Sequence, residues 1–98
     1  MKIPQKVNIG GIIFNINLIS GKTNNALHER DYLGNIDYEK CIITIDSDLN
    51  QQQIEVTLLH ELMHGIANHF CIEVEEVGID RLSRGIYQVL KDNKLLKE

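Results

Sequence analysis

From Val7 to Leu18 apolar and polar positions alternate: Val7, Ile9, Ile12, Phe14, Ile16 and Leu18 are apolar, and Gly10-Gly11 interrupts the run. A period of two sends alternate side chains to opposite faces of a strand, and a glycine pair between two such runs supplies the backbone freedom of a tight reversal. The stretch therefore predicts a β-hairpin. The next segment, SGKTNNALHERDYLGN, has no period and is rich in Ser, Gly and Asn. It reads as loop, with a helical turn allowed over Asn25 to Arg30 and with His28 facing solvent. Ile36 to Tyr38 and Cys41 to Ile45 flank a turn at Glu39-Lys40 and are β-branched and apolar enough for partly buried strands. Three or four strands are expected before residue 46.

Beyond Asp46 the period changes. Ile54, Leu58, Leu62, Ile66 and Phe70 recur at helical spacing, with Leu59 and Met63 widening the stripe, and the lead-in DSDLNQQQ offers Ser47 or Asn50 as an N-cap. One helix is predicted from about residue 51 to 70. After a break at Cys71-Ile72, a second helical pattern runs through Ile79, Leu82, Ile86 and Leu90 and stops at Asp92-Asn93. Strands followed by helices predict an α+β domain: a small antiparallel or mixed N-terminal sheet of three to four strands, with two helices packed on one face.

Composition narrows the setting. A chain of 98 residues suits one domain spanning 1–98, and 43% hydrophobic with 24% charged residues is an ordinary globular balance. The net charge is -4 and no two basic residues are adjacent, which excludes nucleic acid and anionic membrane as expected partners. The opening MKIPQKVNIGGIIFNINL lacks an unbroken apolar core and a small-residue cleavage site, so a cytoplasmic protein is expected. Cys41 and Cys71 form no CxxC pair and are expected to be reduced packing residues.

The chemistry concentrates in TLLHELMHGI, Thr57 to Ile66, which falls inside the longer helical pattern. Residues four apart share a helix face, so His60 and His64 can present two imidazole nitrogens to one zinc ion. Glu61 then stands beside the ion rather than on it, where a general base for hydrolysis belongs. A catalytic zinc takes three protein ligands and keeps one open position. Candidates for the third are His69, turned away from the His60 and His64 face, and Glu76 or Asp80, which share the inward face at the start of the second helix. Of those two acids, one can bind the metal while the other orients a histidine, in either assignment.

HELMH followed by EVGID resembles the gluzincin metallopeptidases, whose third ligand is a glutamate with a supporting aspartate four positions later. The nearer resemblance is to small zincin-like proteins of bacteriophages and prophages related to the ImmA/IrrE family, with EEVGIDRLSRGIYQVLKDN similar to their second helix. The likeness covers Thr57 to Asn93, with a weaker echo in VNIGGIIF. It implies zinc held by His60, His64 and Glu76, Glu61 as catalytic base, and a peptide or protein substrate. The interval from His64 to Glu76 is short for an ImmA/IrrE protein, which leaves Glu75 and Asp80 as rivals of Glu76. Phe70 stands where a metzincin would carry its third histidine.

The leading expectation is zinc-dependent peptide hydrolysis. An extended substrate would add to Cys41–Asp46 if that strand lies at the sheet edge, and Tyr87, Arg84 and His69 are candidates for stabilising the oxyanion. The alternative is a non-catalytic zinc-binding phage protein that engages a host or repressor protein, its site closed by a fourth ligand such as His69 or Glu75.

Overall fold

The computed structural model describes residues 1–21 and 33–96. The expected turn over Asn25 to Arg30, and His28, lie outside the described residues. Strands β1 (Lys6–Ile9), β2 (Ile12–Ile19), β3 (Gly34–Asp37) and β4 (Ile42–Asp46) precede helices α1 (Gln51–His69) and α2 (Glu76–Asp92). The class is α+β, as the order of periods predicts.

Gly10 and Gly11 make the first reversal at φ 60 and 93, values that only glycine adopts freely at both central positions of a two-residue hairpin loop. The Gly11 amide donates to Asn8 Oδ1 at 2.7 Å. At the second reversal Asp37 Oδ1 accepts from the amides of Glu39 and Lys40, both at 3.0 Å, an Asx-type turn closed by Cys41 at φ 55.

The sheet order is β1-β2-β4-β3. β4 pairs parallel with β2 and antiparallel with β3, so the sheet is mixed and β4 lies inside it. The expectation of Cys41–Asp46 as an edge strand is therefore corrected. β3 lies beyond β4, and the β3–β4 hairpin inserts its second strand against β2. Among the described residues β3 is the edge.

Ile9, Phe14, Ile43 and Ile45 on one sheet face meet Ile54 and Leu58 of α1 in the core. Ile43 and Ile45 are fully buried because their strand has neighbours on both sides. Truncating one of them to Ala costs about 2–5 kcal/mol. Asn50 caps α1: its side chain accepts from the Gln53 amide while Gln53 reaches back to the Asn50 amide, a reciprocal capping box. No helix among the described residues is long and apolar enough to cross a membrane.

Two helix faces differ from the expected stripes. The buried line of α1 runs Ile54, Leu58, Glu61, Gly65, whereas Ile66 and Phe70 are exposed. A strict repeat of four drifts around a helix of 3.6 residues per turn, and the true inward line passes through the charged Glu61. α2 packs chiefly on α1, through Ile79, Ser83 and Tyr87, while Leu82 and Ile86 are exposed. A helix that rests on one other helix buries only a narrow seam. Both cysteines are free thiols, but Cys71 is exposed in the α1–α2 connection at φ 56 and packs no core.

Candidate metal centre

α1 carries His60 and His64 on the flank beside its buried line, and α2 brings Glu76 to them from its first turn. The two Nε2 atoms stand 3.2 Å apart. Glu76 bridges them, with Oε1 at 2.8 Å from His60 Nε2 and Oε2 at 2.8 Å from His64 Nε2. Three donors thus converge on one point. For bonds of about 2.1 Å, a tetrahedral set of ligands has edges of roughly 3.4 Å, so the histidine pair has nearly that spacing already. The Glu76 contacts are hydrogen-bond lengths, and opening them by roughly half an ångström brings them to the same edge. Two nitrogens and one carboxylate oxygen are also the chemistry that zinc takes.

Glu61 is arranged differently. It is 6% exposed, and together with His60 and His64 it forms a group whose ligand atoms lie within 4.8 Å of one another. Glu76 is the carboxylate in direct contact with the two rings; Glu61 stands behind, against Thr57 and the edge strand. A Cβ at Gly34 would lie 2.7 Å from Thr57 Cγ2 and 3.4 Å from Glu61 Cγ, so β3 lies flush on this part of the helix. Gly65 does the same one turn later, where a Cβ would lie 2.7 Å from Ile9 Cδ1 and 3.2 Å from Ile36 Cδ1. Burial pushes the Glu61 carboxyl up to about 7, with the charge of Glu76 adding to the effect. A carboxyl near neutrality is suited to taking and returning a proton.

Asp80 Oδ1 lies 3.6 Å from His60 Nδ1, on the far side of that ring, which is where an orienting carboxylate sits. Its other oxygen accepts from Arg84 Nε at 3.1 Å. Of the sequence candidates for the third donor, Glu76 reaches the Nε2 pair, while Glu75 is the exposed N-cap of α2 and His69 packs on Phe70 at the far end of α1. Neither Glu75 nor His69 lines the cleft.

That cleft, of about 740 Å³, runs along β3 between the strand and the two helices, with the His60, Glu61, His64 and Glu76 cluster in its wall. Of the three groups expected near an oxyanion, only Arg84 lines it. Tyr87 is corrected: it is 4% exposed and donates to Glu55 at 2.9 Å, away from the histidines. Sequence reasoning missed Tyr38. Its ring lines the cleft, its hydroxyl donates to the His64 carbonyl at 3.2 Å, and burial followed by the charge of Glu61 raises its pKa, keeping it protonated. The signal was the period of two through Gly34, Ile36 and Tyr38, which continues the face that Ile36 shares with Ile43 and that α1 covers.

No family model, curated protein or solved structure matches the chain. The functional reading rests on the geometry and on the residues that carry it.

Proposed function

We propose that this protein is a zinc-dependent peptide hydrolase of gluzincin type, with His60, His64 and Glu76 as metal ligands and Glu61 as general base. The observation that carries the reading is the convergence of both Nε2 atoms on the Glu76 carboxylate at 2.8 Å, beside a buried Glu61 and an open cleft. Zinc held there supplies a Lewis acid and acidifies water towards neutrality. Glu61 receives the proton of the attacking water and returns it to the leaving amine. The Tyr38 hydroxyl, which in the resting structure donates to the His64 carbonyl, would exchange that acceptor for the substrate carbonyl oxygen as negative charge develops on it. Among the described residues β3 is the outer strand, and its backbone edge would take an extended peptide in the role first expected of β4.

A closed, non-catalytic site would need a fourth protein ligand. The positions of His69 and Glu75 outside the cleft favour the open site instead. Kinship with the phage zincin-like proteins rests on HELMH and EVGID.

The test is elemental analysis of purified protein beside His64→Ala, followed by cleavage of a mixed peptide library by wild type and Glu61→Gln. We expect near one zinc per chain, lost in His64→Ala, and cleavage that disappears in Glu61→Gln while zinc stays. Cleavage retained by Glu61→Gln, or protein that takes up no zinc on titration, overturns the reading.

A further inference from the structure

Glu55 is the buried charge that the proposed chemistry does not use. It lies five residues before His60, is 3% exposed, and accepts from the Tyr87 hydroxyl at 2.9 Å and from the Met1 amino group at 3.4 Å. Tyr87 in turn accepts from Lys91 Nζ at 2.8 Å. Burial pushes the Glu55 carboxyl up, but hydrogen bonds from Gln51 and Tyr87 and the nearby ammonium outweigh it, and the group is held below the ordinary carboxylate range. It is a satisfied carboxylate in a dry place, and its cross-helix donor stands on α2.

α2 has few other means of fixing its position. Its buried seam is Ile79, Ser83 and Tyr87, and the Ser83 hydroxyl bonds within its own helix, to the Asp80 carbonyl at 2.8 Å. Glu75 at its N-cap makes no side-chain capping bond. The Glu76 side chain is 66% exposed, so among the described residues packing does little to hold it in place. Among the described residues, the polar contacts between α1 and α2 therefore fall at two ends: Glu55 with Tyr87 at one, and the histidines with Glu76 and Asp80 at the other. Tyr87 and Glu76 are eleven residues apart on one helix, about 16 Å along its axis. A shift of the seam at Tyr87 is carried by the rigid helix to the carboxylate.

We infer that Tyr87, anchored by Glu55, is a positioning residue for the metal site: it sets how α2 lies on α1 and thereby presents Glu76 to His60 and His64. The inference rests on the metal reading above but not on catalysis. Removing the hydroxyl leaves Glu55 with the Gln51 and Met1 donors and takes away the one that stands on α2, so that end of α2 loses its polar tie to α1. The ligand at the other end then has to be brought into place out of the binding free energy of the metal.

The experiment is a zinc competition titration against a chromophoric chelator on the full chain, with far-ultraviolet circular dichroism of each zinc-free variant to establish that it is folded. We expect Tyr87→Phe to bind zinc about tenfold more weakly than wild type, the low end of the range for groups that support metal ligands. Glu55→Gln keeps an acceptor oxygen for Tyr87 and should retain most of the affinity. The deciding arm is the double variant. If Tyr87 acts through Glu76, then Tyr87→Phe made on Glu76→Gln weakens zinc binding no further than Glu76→Gln alone. A folded Tyr87→Phe with wild-type affinity overturns the inference, and so does a loss that persists in full on the Glu76→Gln background. A wild type that binds no zinc overturns the metal reading, and this inference with it, before any variant is compared. If Tyr87→Phe does not fold, Lys91→Met serves in its place, with a smaller loss that must also vanish on Glu76→Gln.

Discussion

Gly34→Ala tests how closely the edge strand lies on the site helix. The added Cβ would sit 2.7 Å from Thr57 Cγ2, 3.1 Å from the Thr44 carbonyl oxygen and 3.4 Å from Glu61 Cγ. The first contact is too short to persist, and the second, to backbone that cannot rotate away, must open by a few tenths of an ångström. Overpacking of this kind costs about 1–3 kcal/mol. Gly34 is not among the glycines at positive φ, so alanine also stiffens the unfolded chain, which returns about 0.4–1 kcal/mol. A net loss of about 1–2 kcal/mol is expected, read as a lower midpoint in urea denaturation of metal-free protein, or as a Tm fall of roughly 4–8 °C for each kcal/mol. Thr57→Ser removes the methyl group met at the shortest distance, so the double variant should lose about 1 kcal/mol less than the sum of the two single losses. Wild-type stability in Gly34→Ala, or strict additivity in the double variant, refutes the close approach.

Four other outcomes follow from the structure. Asn50→Ala removes the capping box and should destabilise by about 0.5–2 kcal/mol in the same denaturation assay, without change in zinc content. On the proposed mechanism Tyr38→Phe, which also removes the bond to the His64 carbonyl, should lower kcat by about 10²–10³ while KM and bound zinc stay near wild type. His60→Ala should release zinc by elemental analysis with the circular dichroism spectrum unchanged. In metal-free protein the Glu61 carboxyl, raised to about 7 by burial and by Glu76, binds its proton more tightly folded than unfolded. Its contribution is therefore fully present below about pH 4.5 and lost as pH rises through about 7. Glu61→Gln should flatten that slope in urea midpoints.

Much of the architecture was legible because local rules and tertiary packing agree. Gly10-Gly11 between alternating runs allowed one outcome, and Asn50 with Gln53 carried a reciprocal cap. His60, Glu61 and His64 were readable from helical spacing alone. Strand order was not, since nothing local distinguishes a β4 between two partners from a β4 at the rim. Tyr38 was hidden because a tyrosine just past a strand reads as a turn residue until the helix packed on that sheet face is known. Glu55 and Tyr87 were hidden for another reason: a polar residue on a helix reads as solvated until its partner on another element is known. The apolar stripes of both helices also misled, because in α1 the inward line passes through Glu61 and Gly65, and in α2 through Ser83 and Tyr87.

The division of the proposed metal site between two helices also orders events in time. The two histidines emerge first during synthesis, and Glu76 follows twelve residues later on a helix that must then dock on α1. At about 5–20 residues per second that interval is on the order of a second, after which docking is still required. On the proposed reading a nascent chain would meet zinc only as a weak two-nitrogen chelate, and firm loading would come at the end of folding. A protein arranged in this way would not assemble the proposed centre before its structure is complete.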